Sequence, residues 1–323
     1  DGQIRPQLAV TMALHRETPL LESIPLGAVS GRKVFLKMEN MQPAGSFKLR
    51  GIGRVCEEAA KAGATRFISP SGGNAGYAAA WSGRELGVCT TVIVPITTSE
   101  EAKKAIAALG AEVIVSGKSW KESNELALKM SGEDPKSKYI HAFDDPVMWD
   151  GHGTLIDEAA KQGPKPDAVV LSVGGGGLLC GVVAGMDRNG WGDVPVLACE
   201  TEGAASFAAA VAAGEIVELE GITSVATSLG ARAVAPKALE LTRNHRIIPY
   251  VVPDESAVAA CSRFLDDHRV LVEPACGVSL SALYENTPLL GNAGTVLVVV
   301  CGGIGISAAK LRKMEADLGL PHP

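Results

Sequence analysis

The sequence predicts an α/β protein of two domains, with open, mostly parallel sheets flanked by helices in both. Two observations carry that expectation. Short β-branched runs alternate along the chain with longer stretches of helical period, the pattern of successive β-α-β units. The composition agrees: of 323 residues 46% are apolar and 37 are glycine, while aromatics make up only 4%. Aliphatic and small side chains suit parallel strands buried beneath helices. A chain of this length divides into domains of about 150 residues and can bury a large core without disulfides.

Each element has its own local reason. Residues 34–38 form the first clear strand, and helical period over 46–62 follows, with Ser46 as a candidate N-cap. A short strand at 67–69 runs into Pro70-Ser71-Gly72-Gly73-Asn74-Ala75-Gly76 and a helix over 75–86. The strand at 91–94 is closed by Pro95. Helices over 100–109 and 120–130 enclose a strand at 112–115. Residues 131–138 are polar and contain Gly132 and Pro135, and 162–167 is the richest turn cluster, so a change of domain is expected between 131 and 167. A helix over 148–162 lies in that interval. Strands at 168–173, 194–199 and 295–301 then alternate with helices over 178–188, 256–267 and 307–318.

Several classes of protein are excluded by composition. A net charge of −6 leaves no basic footprint for nucleic acid. No run reaches the roughly 18 apolar residues that a membrane span needs. Asp1-Gly2-Gln3 lacks the order of a secretory signal. The seven cysteines (56, 89, 180, 199, 261, 276 and 301) are odd in number and scattered without a C-x-x-C pair. That spacing predicts reduced thiols in a cytoplasmic protein, neither a disulfide framework nor a zinc site. The six histidines form no H-E-x-x-H arrangement.

The strongest local motif is Gly174-Gly175-Gly176-Gly177-Leu178-Leu179, between a strand and a helix start. Successive glycines leave backbone N–H groups unshielded beside a helix N-terminus, which makes an anion nest suited to phosphate. A tight βα turn is the plainer alternative, although one or two glycines would serve for that. The dinucleotide pattern fails because its sixth position is Leu179 or Cys180, and the Walker A pattern fails because Val182 stands where lysine is needed. Gly303-Ile304-Gly305-Ile306-Ser307-Ala308 does match G-x-G-x-x-A, but too little chain follows it to build the rest of a nucleotide site. A small phosphorylated cofactor is therefore favoured over a nucleotide.

Three further features stand near predicted element ends. Lys48 lies in the first turn of its helix, where the dipole disfavours a cation, next to Phe47. Such a lysine is either simply solvated or has a lowered pKa and attacks an aldehyde. Ser71 and Asn74 are either ordinary caps or, with free backbone N–H groups, a dock for a carboxylate. Cys301 ends an apolar strand; cysteines there usually pack in the core, yet ligands bind at the carboxyl ends of parallel strands.

In their order, these motifs resemble one family. Thr18-Pro19-Leu20-Leu21-Glu22-Ser23, Lys37-Met38-Glu39-Asn40, Ser46-Phe47-Lys48-Leu49-Arg50-Gly51, Ser71-Gly72-Gly73-Asn74, Gly174–Gly177, Glu200-Thr201-Glu202-Gly203-Ala204, Val272-Glu273-Pro274-Ala275-Cys276-Gly277 and Cys301-Gly302-Gly303 are similar to fold-type II pyridoxal phosphate enzymes. The nearest resemblance is to the L-serine/L-threonine dehydratases, in their serine dehydratase-like branch, over about residues 16–315. Such enzymes eliminate water from a β-hydroxy amino acid and release a 2-oxo acid and ammonia.

The resemblance implies a role for each matching residue. Lys48 would hold pyridoxal phosphate as a Schiff base and take the substrate α-proton. Phe47 would cover the ring, Asn74 would bond its 3-oxygen, and Cys301 would face its nitrogen. A thiol there is expected to favour β-elimination over transamination. Gly174, Gly175, Gly176, Gly177 and Leu178 would hold the phosphate. Ser71, Gly72, Asn74 and Phe143 would bind the substrate. A monovalent cation, K+ in expectation, would meet Gly174, Glu200, Ala204, Leu229 and Ala231. The resemblance also implies a small domain over 42–145 inserted between 1–41 and 146–323, and a homodimer.

Two departures matter. Gly72 stands where the more active dehydratases carry alanine, so a wider pocket is expected. Ile304 replaces a polar residue, so a hydrogen bond near the cofactor is expected to be missing. Both keep larger β-hydroxy amino acids, phenylserine or hydroxyaspartate, open as substrates. Ser71 keeps serine racemase open, since racemisation needs a second base. No regulatory region is expected beyond the catalytic motifs, and a catabolic role is the expectation that follows.

Overall fold

The computed structural model describes residues 13–321. Its strands form two sheets, one of six strands and one of four. The chain enters the larger sheet first. Strand β1 (Leu20–Glu22) pairs antiparallel with β2 (Lys33–Lys37), and helix α1 (Ile24–Ser30) lies between them in sequence. Helix α1 is capped by the Ser23 hydroxyl and stopped by Gly31 at φ 69.

The chain then builds the four-stranded sheet. Helix α2 (Lys48–Lys61) leads to β3 (Arg66–Ser69), α3 (Asn74–Leu86), β4 (Cys89–Val94), α4 (Glu100–Ala107), β5 (Glu112–Val115), α5 (Trp120–Glu133) and β6 (Ser137–Tyr139). The order is β5-β4-β3-β6, parallel throughout. Helix α6 (Pro146–Gln162), started by the Asp145 side chain, packs on both α2 and α7 (Gly177–Arg188). The rest of the chain completes the six-stranded sheet. It contains β7 (Ala168–Ser172), β8 (Val196–Thr201), α8 (Ser206–Ala213), α9 (Pro236–Leu241), β9 (Ile247–Val252), α10 (Asp254–His268), α11 (Pro274–Tyr284), β10 (Thr295–Val299) and α12 (Ala308–Asp317). The order is β1-β2-β10-β7-β8-β9, with every pair after the first parallel. Strand β7 is buried at every position, as central parallel strands are.

Several elements depart from the sequence reading, each for a physical reason. The polar stretch 131–138 holds the end of α5, which continues through Gly132, and the start of β6 at Ser137. The change from one sheet to the other falls between Tyr139 and Ala168, with α6 in the gap. Strand β9 carries Pro249, which an edge strand tolerates because one side has no ladder to lose. Helix α11 is buried on every side, so no polar face marks its period. Ser46 is not an N-cap: helix α2 begins at Lys48, Phe47 precedes it, and no side chain caps it. Ser46 instead makes an isolated antiparallel bridge with Gly302. Cys301 lies two residues beyond the end of β10.

All seven cysteines are unpaired and only Cys89 is exposed. Among the described residues no helix is long and apolar enough to cross a membrane, and no group of three or more His, Cys, Asp or Glu could hold a metal ion.

Candidate active site between the two sheets

The residues singled out by sequence converge where the two sheets meet. The Phe47 N–H donates to the Cys301 carbonyl at 3.2 Å, which brings the lysine segment against the loop after β10. The Lys48 amine donates to the Ala142 carbonyl at 2.6 Å. Phe143, the next residue, packs directly on the glycine loop: a Cβ at Gly175 would fall inside its ring, and one at Gly177 would lie 2.5 Å from its carbonyl oxygen. Across the cleft, the Asn74 carbonyl oxygen accepts from the Ile304 N–H at 2.9 Å.

Helix α2 is held in place by a buried charge cluster. Arg50, two residues after Lys48 and fully buried, reaches Glu39 through Nε at 2.7 Å and Glu158 through Nη2 at 2.6 Å. Lys37 adds a second cation to Glu158 at 2.6 Å. Burial opposes the charge on Arg50, but the carboxylates of Glu39 and Glu158 outweigh it and hold the guanidinium protonated. These contacts fix the helix start from the turn just after β2, which carries Glu39, and from α6, which carries Glu158; the two lie on either side of the small sheet in sequence.

The Lys48 side chain is half-buried overall, while its amine is enclosed by protein. Burial lowers its pKa to about 8, with the Cys301 thiol acting weakly the other way. The lowered value expected from sequence is therefore present, but desolvation is its main cause. Phe47 lies beside it, with the ammonium 5.3 Å from the ring centroid, and rests edge-on against the buried His152 ring at 4.9 Å. Cys301 is buried with Cys276 and Ser172 beside it; the Cys276 thiol and burial raise its pKa well above the usual range, so it is a neutral thiol.

The glycine loop meets two demands at once. Gly176 adopts φ 86, and a Cβ there would lie 2.7 Å from the Ala238 Cβ. Gly175 and Gly177 must be glycine to admit Phe143, and Gly174 approaches the Leu229 backbone, with its Cβ position 3.0 Å from the Leu229 Cα. Packing alone thus explains much of the glycine run. The N–H groups from Gly174 to Leu179 nevertheless find no protein acceptor among the described residues. A row of free donors at the N-terminus of α7 fits a phosphate, and with an enclosed neutralisable lysine, the aromatic Phe47 beside it and a neutral thiol the residues fit pyridoxal phosphate.

Substrate-side expectations meet a mixed outcome. Ser71 and Asn74 frame the N-terminus of α3, but the helix is preceded by Gly73, and the Ser71 hydroxyl accepts only weakly from Gly73 N at 3.4 Å. Gly72 does not open the pocket. A methyl there would meet Thr98 Cγ2 at 2.6 Å and Oγ1 at 2.9 Å, so Thr98 already fills the space alanine would need. Ile304 does supply a hydrogen bond near the cofactor position, through its backbone rather than a polar side chain.

The proposed cation ligands are only partly assembled. Leu229 lies on Gly174, but its carbonyl already accepts from Ala231 N at 2.7 Å. Both Glu200 oxygens accept N–H groups of Phe207 and Ala208 at 2.8 Å, so the carboxylate caps α8. Burial raises the Glu200 pKa to about 7 against those two bonds.

Residues the motifs did not single out complete the site. Glu273 bonds the Asn74 amide at 2.6 Å, His152 backs Phe47, and Ala142 receives the lysine. Glu273 sat in a recognised motif without a role, and Ala142 directly precedes the assigned Phe143; nothing in the sequence marked His152.

A fold of two mostly parallel sheets, with a lysine of lowered pKa and a glycine loop of free N–H groups where they meet, defines a cofactor-dependent enzyme. The chain belongs to the pyridoxal-phosphate dependent enzyme family, which it matches over residues 12–302. It is 47% identical over 318 residues to the human L-serine dehydratase/L-threonine deaminase, covering 96% of this chain and 97% of that protein. It is also 47% identical over 314 residues to the mouse serine dehydratase-like protein, covering 94% and 95%. Among solved structures, the fungal L-serine ammonia-lyase from Rhizomucor miehei superimposes with a TM-score of 0.90 at 38% identity, covering 94% of this chain and 99% of that one. Maize serine racemase superimposes with a TM-score of 0.84 at 25% identity, covering 94% and 93%.

Proposed function

We propose that the protein is an L-serine/L-threonine ammonia-lyase that removes water from the substrate and yields pyruvate or 2-oxobutanoate with ammonia. The observation that carries this reading is the enclosed Lys48 amine, with a pKa of about 8, placed between the glycine loop and the Cys301 loop. Pyridoxal phosphate, when bound, supplies the electron sink that makes the substrate Cα proton removable. Lys48 would anchor it, and its amine, with a pKa lowered to about 8, would serve as the base for that proton. Phe47 would cover one face, Asn74 would donate to the ring oxygen, and Gly174–Gly177 with Leu178 would hold the phosphate. Ser71, Gly72 and Asn74 orient the substrate carboxylate, with Phe143 as the wall beside the phosphate loop. Cys301, a neutral thiol, would face the ring nitrogen and would leave it less protonated than a carboxylate would, which would favour elimination.

The reading extends to organisation. Residues 42–145 form the small domain and 1–41 with 146–323 the large one; the strands of the four-stranded sheet, all between Arg66 and Tyr139, support this division. A K+ ion beside Gly174, Glu200, Ala204, Leu229 and Ala231, a homodimer and a cytoplasmic location complete the proposal.

Purified protein should be yellow, and Lys48→Ala should abolish the colour. Ammonia release from L-Ser, L-Thr and L-threo-phenylserine fixes the substrate, with the first two expected to dominate. A dominant phenylserine or hydroxyaspartate activity would replace this reading with a larger-substrate dehydratase, and D-serine formation faster than ammonia release would replace it with a racemase. Activity in K+ that equals activity in Na+ or choline would dispose of the cation.

A further inference from the structure

We propose that Glu273 is a positioning residue for the cofactor: its carboxylate fixes the amide of Asn74 and the loop after Cys301, and thereby sets two contacts to the cofactor ring. The proposal rests on the placement of Asn74 and Cys301 at that ring. Glu273 directly precedes α11 and is 5% exposed. One carboxylate oxygen accepts from Asn74 Nδ2 at 2.6 Å, and the other accepts from Gly305 N at 3.2 Å. The Asn74 carbonyl oxygen accepts from Ile304 N at 2.9 Å.

These bonds leave the Asn74 amide one orientation. An amide has an acceptor oxygen and a two-hydrogen donor nitrogen. The Ile304 N–H must face the oxygen, and the Glu273 carboxylate must face the nitrogen. A flipped amide would set donor against donor and acceptor against acceptor, at a cost on both sides. The held orientation leaves the second Nδ2 hydrogen for a ring oxygen, with Ser228 Oγ at 3.4 Å the only weaker competitor among the described residues.

The loop is fixed by the same group. Gly303 runs at φ 138 directly over the carboxylate, where any Cβ would overlap the Glu273 carboxyl carbon. Lys310 holds Gly305 from the outer side, Nζ to carbonyl oxygen at 2.7 Å. The geometry also joins the two halves, since Asn74 opens α3 beside the small sheet while Glu273 and Ile304 belong to the large one. Burial pushes the Glu273 pKa up, while Ser228, Asn74 and the Gly305 N–H draw it back toward the ionised form that bonds both donors.

The test compares wild type, Asn74→Ala, Glu273→Ala, Glu273→Gln and the double alanine variant as purified protein titrated with pyridoxal phosphate. Cofactor affinity, the visible absorption band and the melting temperature are read. Glu273→Ala should weaken cofactor binding roughly tenfold or more, as loss of a hydrogen bond to a charged group implies, and shift the band. In the Asn74→Ala background the same change should cost clearly less than in wild type, leaving only the share carried by the Gly305 bond to the loop after Cys301. Glu273→Gln should fall between, since its amide keeps an acceptor for Asn74 but sets a donor against Gly305; it carries the comparison if the alanine variant does not fold. Unchanged affinity and band in the Glu273 variants, or effects that multiply with those of Asn74→Ala, would overturn the proposal. If Asn74→Ala itself changes neither readout, the placement of Asn74 fails and the proposal with it.

Discussion

Gly72→Ala is the substitution on which the sequence and the structure disagree most sharply. Compared with alanine, glycine looks like added room. The structure places the missing methyl against Thr98 Cγ2 at 2.6 Å, Thr98 Oγ1 at 2.9 Å and Val94 Cγ1 at 3.1 Å. The nearest contact is thus about 0.8 Å inside the 3.4 Å at which ordinary packing begins. Gly72 is not among the left-handed glycines, so the backbone itself admits alanine. The expected cost is that of overpacking, ~1–3 kcal/mol, offset by ~0.4–1 kcal/mol from the stiffer unfolded chain.

Thr98→Ala removes both nearest atoms, so Gly72→Ala should cost far less in that background. Urea unfolding of the four proteins in the cycle measures the difference, with a coupling of ~1 kcal/mol or more expected within the usual range for touching residues. Ammonia release from L-serine supplies a second readout. If the loop moves rather than Thr98, Gly72→Ala should change KM through Ser71, and Thr98→Ala should restore it. A Gly72→Ala protein as stable as wild type, with the same cost in both backgrounds, would refute the packing argument and return the wider-pocket reading.

Three further outcomes follow from burial. The Lys48 amine reacts only when neutral, so the rate at which cofactor-free protein takes up pyridoxal phosphate should rise with pH up to about 8 and then level off, followed by absorbance; a rise that continues toward the ordinary lysine range would contradict the desolvated amine. Burial depresses the His152 pKa well below its usual value, so the unfolded chain binds a proton first as pH falls. The His152 contribution to stability is therefore present above the unfolded pKa of about 6.5 and is lost as pH falls below it, by at most ~1.4 kcal/mol per pH unit; His152→Gln should flatten the denaturant midpoint across that range. Arg50→Ala leaves the buried Glu39 without a partner cation and the half-buried Glu158 with Lys37 alone, and should cost ~3–5 kcal/mol in thermal or urea unfolding, while a near-neutral result would deny the cluster its role in seating α2.

What the sequence made legible is what depends on neighbours along the chain. Strand β7, its glycine turn and α7 could be read together because each signal sits within a few residues of the next. Lys48 could be flagged because a cation in a first turn is locally odd. Strand β6 and helix α11 could not be read. The first is three polar residues whose strand identity comes only from pairing with β3, and the second is a helix whose partners surround it on all sides.

The same division runs through the site. Glycine in a turn is conspicuous, but its cause is not: Gly175 and Gly177 answer to Phe143, more than thirty positions earlier, as well as to any phosphate. Asn74 is conspicuous at a helix start, yet the direction of its amide depends on Glu273 and Ile304, which arrive about two hundred residues later. A motif names the atoms a site can use. Which way those atoms point is decided by groups on the other sheet, and such groups leave no trace in local spacing. The lysine, the amide and the thiol become one site only because the Phe47 N–H reaches Cys301 and the Asn74 amide is held between two halves of the fold.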